Sequence, residues 1–251
     1  GGEDQSTAEE NQKIVKPPYI REKEARTFLT EKVSFRLAKE VFLSVAENKT
    51  SMPPKTYLAF PGQNKDFRAM PAYFQGAKGA GCGIKWIGVF PDNAARGVPT
   101  VNGTILLNSP DTGLLLAILE ANVITAMRTG AAAAVATHYL ANPRPRKLAI
   151  VGSGLQAEFQ LKAMAAMYNF ESISAWGFRA GEANFFCKKL KPSNLRLTPV
   201  ARIQECVADA DIIVTCTSSR QPLIQKEWVK KGAHINAIGA EMGVDGFDAL
   251  M

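Results

Sequence analysis

The chain has 251 residues, 46% of them hydrophobic, with 30 Lys and Arg against 23 Asp and Glu and a formal net charge of +7. That is apolar material for one large core or two modest ones, and no uncharged apolar run reaches the length of a membrane helix. The basic residues are interleaved with acids apart from short clusters such as Arg144-Pro145-Arg146-Lys147, a dispersion that favours small anionic ligands over nucleic acid or a membrane surface.

Residues 1–16 carry no apolar period and are expected to be a disordered tail, and their polar character without a signal segment reads as cytoplasmic. Over 22–48, Val33, Leu37, Val41 and Val45 recur at four-residue steps, which predicts a helix stopped at Asn48. From Ser51 to Leu107 the texture changes to short strands between Pro and Gly turns: "KTYLAF", "RAMPAYF", "GIKWIGVF" and "TVNGTILLN". A turn at "SPDTG" and a strand at "LLLAILE" follow, and then an alanine-rich helix that Pro143 ends. From Lys147 strands and helices alternate: 147–151, helix 158–167, strand "SISAW", helix 182–190, strand "LTPVA", a short helix at 203–208, and strands "IIVTCT" and "HINAIG". The expected fold is α/β, a Rossmann-type doubly wound sheet over 144–251 preceded by a strand-rich α+β substrate-binding and dimerisation domain over 17–143.

The stretch "KLAIVGSGLQAEFQLKAM" gives strand, turn and helix in the order a dinucleotide site requires. Gly152 suits the tight turn, Gly154 lets backbone approach a pyrophosphate, and Ala157 is small enough for close packing although the strict motif has glycine there. Leu155 and Gln156 open the helix whose N-terminus faces the negative charge. In "SAWGFRAGEA" no acid stands at Trp176-Gly177-Phe178, and Arg179 follows, which favours NADP(H) over NAD(H). The glycine-rich run before Lys85 lacks the G-K-[ST] ending of a phosphate loop, so ATP chemistry is not expected.

Lys85 stands in an otherwise apolar strand, where a cation is costly unless it lines a cavity, and a lysine with a lowered pKa can act as general acid or base. Arg68 and Arg128 are candidates for holding a carboxylate through their planar fork. Arg128 is read as opening the alanine-rich helix, with Thr129-Gly130 presenting N–H groups to an anion. His138 and His234 have no metal-ligand spacing, and Cys82, Cys187, Cys206 and Cys216 form no C-x-x-C pair, so neither a metal site nor a disulfide framework is expected.

Together "MPPKTYL", "RAMPAYF", "GIKWIGVFPDN", "GVPTVNGTILLNSPDTG", "ITAMRTGAAAAVATHYLA", "LAIVGSGLQAEFQ", "ADIIVTCTSS" and "EWVKKGAHINAIGA" resemble the ornithine cyclodeaminase and mu-crystallin family, including its archaeal alanine dehydrogenase branch. The resemblance covers residues 52–241 and implies an NAD(P)-dependent oxidoreductase working on the C–N bond of an amino or imino acid, as a homodimer built on the strand-rich domain. It makes Lys85 the active-site lysine, Arg128 the carboxylate-binding arginine, Lys55 the basic residue of a P-P-[KR] motif, and Arg68 the arginine of the alanine dehydrogenase branch. Thr129, Gly152, Gly154, Leu155, Gln156, Ala157, Arg179, Thr217 and Ser218 are expected around the cofactor, and Glu241 stands where the family has a catalytic Asp. Family members run on for several tens of residues that return a helix to the first domain. An amino acid dehydrogenase or ketimine reductase, an ornithine cyclodeaminase that returns its hydride, and a non-catalytic NADPH-dependent binding protein all stay open.

Overall fold

The computed structural model describes residues 16–191, 195–217, 219 and 221–238. Its elements run β1 (Tyr19–Ile20), α1 (Glu22–Phe28), α2 (Glu31–Ala46), β2 (Thr50–Ser51), β3 (Thr56–Ala59), β4 (Asp66–Gly76), β5 (Gly79–Val89), β6 (Val101–Asn108) and β7 (Leu115–Glu120). The long α3 (Asn122–Leu140) follows, then β8 (Lys147–Val151), α4 (Leu155–Met167), β9 (Ser172–Trp176), α5 (Glu182–Leu190), β10 (Leu197–Pro199), α6 (Ile203–Val207), β11 (Ile212–Thr215) and β12 (His234–Ala237).

The single helix expected over 22–48 is two helices. Thr30 adopts an extended backbone and its hydroxyl accepts from the Val33 N–H at 3.2 Å, so a side-chain cap starts α2 afresh. Asn48, with φ 56, takes the left-handed conformation that stops α2, where its short polar side chain is tolerated.

The first sheet has the order β1-β7-β6-β5-β4-β2, with β3 also on β4. β4 and β5 form its longest hairpin, in register from Asp66 opposite Val89 to Gly76 opposite Gly79. The second sheet, β10-β9-β8-β11-β12, is parallel throughout. Its central strand β8 is buried on both faces, which is why it reads as an unbroken apolar run. Leu148 and Ile150 pack with Leu161, Met164 and Phe186 of α4 and α5, whereas Ala149 and Val151 pack with Val207 on α6.

α3 joins the two sheets. It starts at Asn122, whose side-chain carbonyl accepts from the Gly103 N–H at 2.7 Å, so Arg128 sits well inside the helix rather than opening it. The N–H groups of Thr129 and Gly130 belong to the helical ladder and are not presented to an anion. Gly130 serves packing instead: a Cβ there would lie 2.8 Å from the Phe159 carbonyl oxygen and 3.1 Å from the Ala163 Cβ, both on α4. A further tie is the Asn236 amide of β12, which donates to the Thr137 hydroxyl of α3 at 2.8 Å inside the core.

Gly130→Ala therefore sets two effects against each other. Alanine gains about 1 kcal/mol of helix propensity, but the overpacking against backbone costs about 1–3 kcal/mol. Net destabilisation is expected, read as a lower urea midpoint with an unchanged slope; a midpoint at or above that of the parent contradicts the close approach of α3 and α4.

Candidate functional site

The pleat of the first sheet sorts the cationic residues. Met70 stands opposite Lys85, Arg68 opposite Ile87, and Tyr57 opposite Arg68. With a period of two, Tyr57, Arg68, Met70, Lys85 and Ile87 share one face. That face turns towards α3: on β6, Gly103 lies opposite Ile87, and a Cβ there would meet the Ala121 Cβ at 3.3 Å.

Lys85 is half-buried, and its pKa falls from the ordinary 10.5 to about 8. Burial is the first cause, followed by the positive charges of Arg128 and Lys55. The structure thus brings Lys55, Lys85 and Arg128 together, from β3's approach, β5 and α3. Arg128 exposes surface to solvent, yet the protein around it holds its pKa below the usual guanidinium range by desolvation. A side chain in the wall of an open cleft satisfies both observations, since water reaches it while protein fills most of its surroundings. Among the described residues no carboxylate pairs with Lys85 or Arg128.

Arg68 is held differently. The Asp66 carboxylate accepts from its Nε at 2.6 Å and its Nη2 at 3.1 Å, and the guanidinium lies 5.3 Å from the centre of the Tyr57 ring. Its charge is answered within its own strand, so it stands beside the cluster on the same face while Lys55 is the nearer electrostatic neighbour of Lys85.

The glycine turn lies at the carboxyl end of β8, where strand order switches from β9 on one side to β11 on the other, the usual ligand crevice of an open α/β sheet. Gly152 has φ 129, and a Cβ on it would meet the Cys216 carbonyl oxygen at 2.6 Å, so only glycine fits. Its N–H donates to the Trp176 carbonyl at 2.8 Å, tying the turn to the end of β9. Gly154 faces open space, α4 begins at Leu155, and Ala157 is wholly buried under the helix. The buried Gln156 side-chain oxygen has no hydrogen-bond partner among the described residues. The first N–H groups of α4, which have no partner within the helix, and the open space at Gly154 fit the pyrophosphate of a dinucleotide. One helix, α3, carries both Arg128 and Gly130, and Gly130 abuts Phe159, about 6 Å along α4 from Leu155.

The remaining sequence-predicted residues have local partners. The Thr129 hydroxyl donates to the Thr125 carbonyl at 2.8 Å, and the Thr217 hydroxyl accepts from the Ser219 N–H at 3.3 Å. Arg179 is exposed after β9. Ser218 and Glu241 lie outside the described residues. The Cys216 thiol donates to the Val151 carbonyl at 3.5 Å and burial pushes it up to about 12, which makes it a packing group rather than a nucleophile. Sequence reasoning missed Ser153 and Glu182: the Ser153 hydroxyl donates to Glu182 Oε2 at 3.0 Å, and the Arg179 N–H donates to the same oxygen at 3.2 Å.

Comparison with known proteins identifies the family and the fold. The family model of the ornithine cyclodeaminase/mu-crystallin family matches residues 22–246. An alanine dehydrogenase of Archaeoglobus fulgidus is 35% identical over 224 residues, covering 88% of this chain and 66% of that protein. An archaeal alanine dehydrogenase dimer solved with bound NAD matches with a TM-score of 0.81 at 34% identity, over 88% of this chain and 67% of that one. The Delta(1)-pyrroline-2-carboxylate reductase of Thermococcus litoralis, in complex with NADH and L-proline, matches with a TM-score of 0.82 at 30% identity, over 86% and 67%. The chain thus spans about two thirds of the length of these relatives.

The lowered pKa of Lys85 has a definite sign. Between about pH 8 and 10.5 the unfolded chain holds a proton that the folded chain has released, so this group's contribution to stability rises with pH across that window. Competitive acetylation followed by mass spectrometry is expected to give Lys85 a midpoint near pH 8, and a higher one in Arg128→Met, which removes a like charge. An unmoved midpoint contradicts the coupling.

Proposed function

Because the chain belongs to the ornithine cyclodeaminase/mu-crystallin family, we propose that it is an NAD(P)-dependent oxidoreductase acting on the C–N bond of an amino or imino acid, as an amino acid dehydrogenase or ketimine reductase. The observation that carries this reading is the Lys55, Lys85 and Arg128 cluster, a net positive site whose arginine stands on α3, the helix packed against the α4 that follows the dinucleotide turn. Desolvated like charges repel one another, and a substrate carboxylate relieves that repulsion where a neutral ligand does not.

Gly152, Gly154, Leu155, Gln156 and Ala157 would hold the cofactor, with Thr217 and Ser218 from the sequence that follows β11. When bound, the nicotinamide supplies or accepts the hydride at the substrate's α-carbon. Arg128 binds the substrate carboxylate through its fork and fixes the α-carbon in place. Arg68, braced by Asp66 and Tyr57, bounds the carboxylate side of the site. Lys85 donates a proton to the imine nitrogen or carbonyl oxygen and recovers it in the opposite direction, a role suited by a pKa of about 8. Arrival of the carboxylate raises the Lys85 pKa and so loads it with the proton it delivers. Lys55 adds to the positive field, and Glu241, four residues beyond β12, is proposed to activate water for hydrolysis of the imine.

A homodimer is part of the same proposal. The sheet face opposite Lys85 carries Leu58 and Trp86, 55% and 39% exposed, and Trp86 stacks on Phe67 at 5.1 Å. An apolar sheet face of this kind suits a second copy of the chain.

The test follows nicotinamide absorbance with alanine, ornithine, lysine and cyclic imino acids, in both directions and with both cofactors. Turnover with an amino or imino acid is expected, and Lys85→Met should lower kcat/KM by about 10²- to 10⁴-fold while leaving cofactor affinity unchanged. Cofactor binding without turnover of any substrate favours a binding protein instead, and ammonia release from ornithine without net absorbance change favours a cyclodeaminase.

A further inference from the structure

Dinucleotide folds of this type commonly carry an acid near the end of the second strand, where it hydrogen-bonds the adenosine ribose. Here β9 ends at Trp176 and the next residue is Gly177, so that strand end has no carboxylate of its own. The first residue of α5 supplies one. A Cβ on Gly177 would lie 2.6 Å from the Glu182 Cβ and 3.2 Å from Glu182 Oε2, so the Glu182 side chain fills the volume that a side chain at 177 would take. Gly181, with φ 83, reverses the loop and returns the chain to the strand end.

The carboxylate is fixed as well as near. Oε2 accepts from the Ser153 hydroxyl at 3.0 Å, between the two glycines of the turn, and from the Arg179 N–H at 3.2 Å, in the loop after β9. Those are the two segments that flank the adenosine ribose in such folds. A position at the start of α5 also places the negative charge where the helix dipole favours it.

We propose that Glu182 selects the cofactor of this chain, its carboxylate accepting hydrogen bonds from the ribose hydroxyls of NAD(H) and repelling the 2′-phosphate of NADP(H). This rests on reading the Gly152–Gly154 turn as a dinucleotide site, and it reverses the leaning to NADP(H) that Arg179 gives in the sequence. The Arg179 backbone is already engaged with Glu182, and a 2′-phosphate brought to this loop meets a fixed anion before it gains the guanidinium.

Calorimetric titration of the chain with NADH and with NADPH, without substrate, tests it independently of turnover. The parent is expected to bind NADH more tightly by roughly a hundredfold, as for a fixed like-charge contact. Glu182→Gln keeps the shape and the Ser153 bond while removing the charge, and is expected to narrow that ratio to about tenfold or less, mainly by tighter NADPH binding. Equal or tighter binding of NADPH by the parent overturns the proposal, and so does an unchanged ratio in Glu182→Gln. If the parent binds neither dinucleotide, the reading of the turn fails and the proposal with it. Ser153→Ala provides the second variant: it frees the carboxylate without removing it, so a weakened NADH affinity with NADPH still disfavoured is expected, and NADPH gaining as much as in Glu182→Gln counts against the role of the charge.

Discussion

Burial of the Lys85 ammonium, reinforced by the positive charges of Arg128 and Lys55, is the constraint from which the rest of this molecule follows. An isolated chain would separate Lys55, Lys85 and Arg128 by solvating each; the fold holds them together and lowers the Lys85 pKa to about 8. Burial of a charge without a partner is unfavourable, and such arrangements are concentrated where a ligand completes them. An α-amino or α-imino carboxylate is a ligand of the right sign and size, with a nitrogen next to the carboxylate for Lys85 to address.

That arrangement is sustained by a frame built for rigidity. Two sheets contribute the walls, and α3 spans them, anchored at one end by the Asn122 bond to Gly103 and towards the other by the Thr137 bond to Asn236. The close approach at Gly130 sets the separation of α3 from α4, and α4 in turn starts at the glycine turn. A change in how these two helices pack would therefore move the cation cluster relative to the dinucleotide crevice, which is how residues remote from the chemistry come to control its geometry.

Legibility in the sequence followed the range of the interactions. β9 at 172–176 and α5 at 182–190 are read correctly because burial pattern and helical spacing are local signals. The glycine turn is legible because the positive φ at Gly152 is a local demand for glycine, and the distant Cys216 carbonyl crowds the same position. The break at Thr30 escaped because the apolar period continues across it while a capping hydroxyl decides the outcome. The start of α3 escaped because Ala121 offers no side-chain cap, leaving the alanine run as the visible signal and misplacing Arg128 at the helix opening. Asp66 as the brace of Arg68 needs only the two-residue period of a strand, so that spacing carried usable information. Glu182 meets Ser153 at a separation of 29 positions and across a left-handed glycine, a juxtaposition that no local pattern encodes.

The central claim is that the cation cluster waits for a carboxylate and that Lys85 takes up a proton when it arrives. Proton uptake can be measured directly by titrating pyruvate, whose carboxylate does not itself titrate near pH 8, into the dinucleotide-saturated chain in buffers of different ionisation enthalpy. Expected is a net uptake approaching half a proton per site at pH 8, since a group at its pKa is half protonated before the anion binds, and its loss in Lys85→Met. Binding with no proton uptake, or uptake that persists without Lys85, contradicts it.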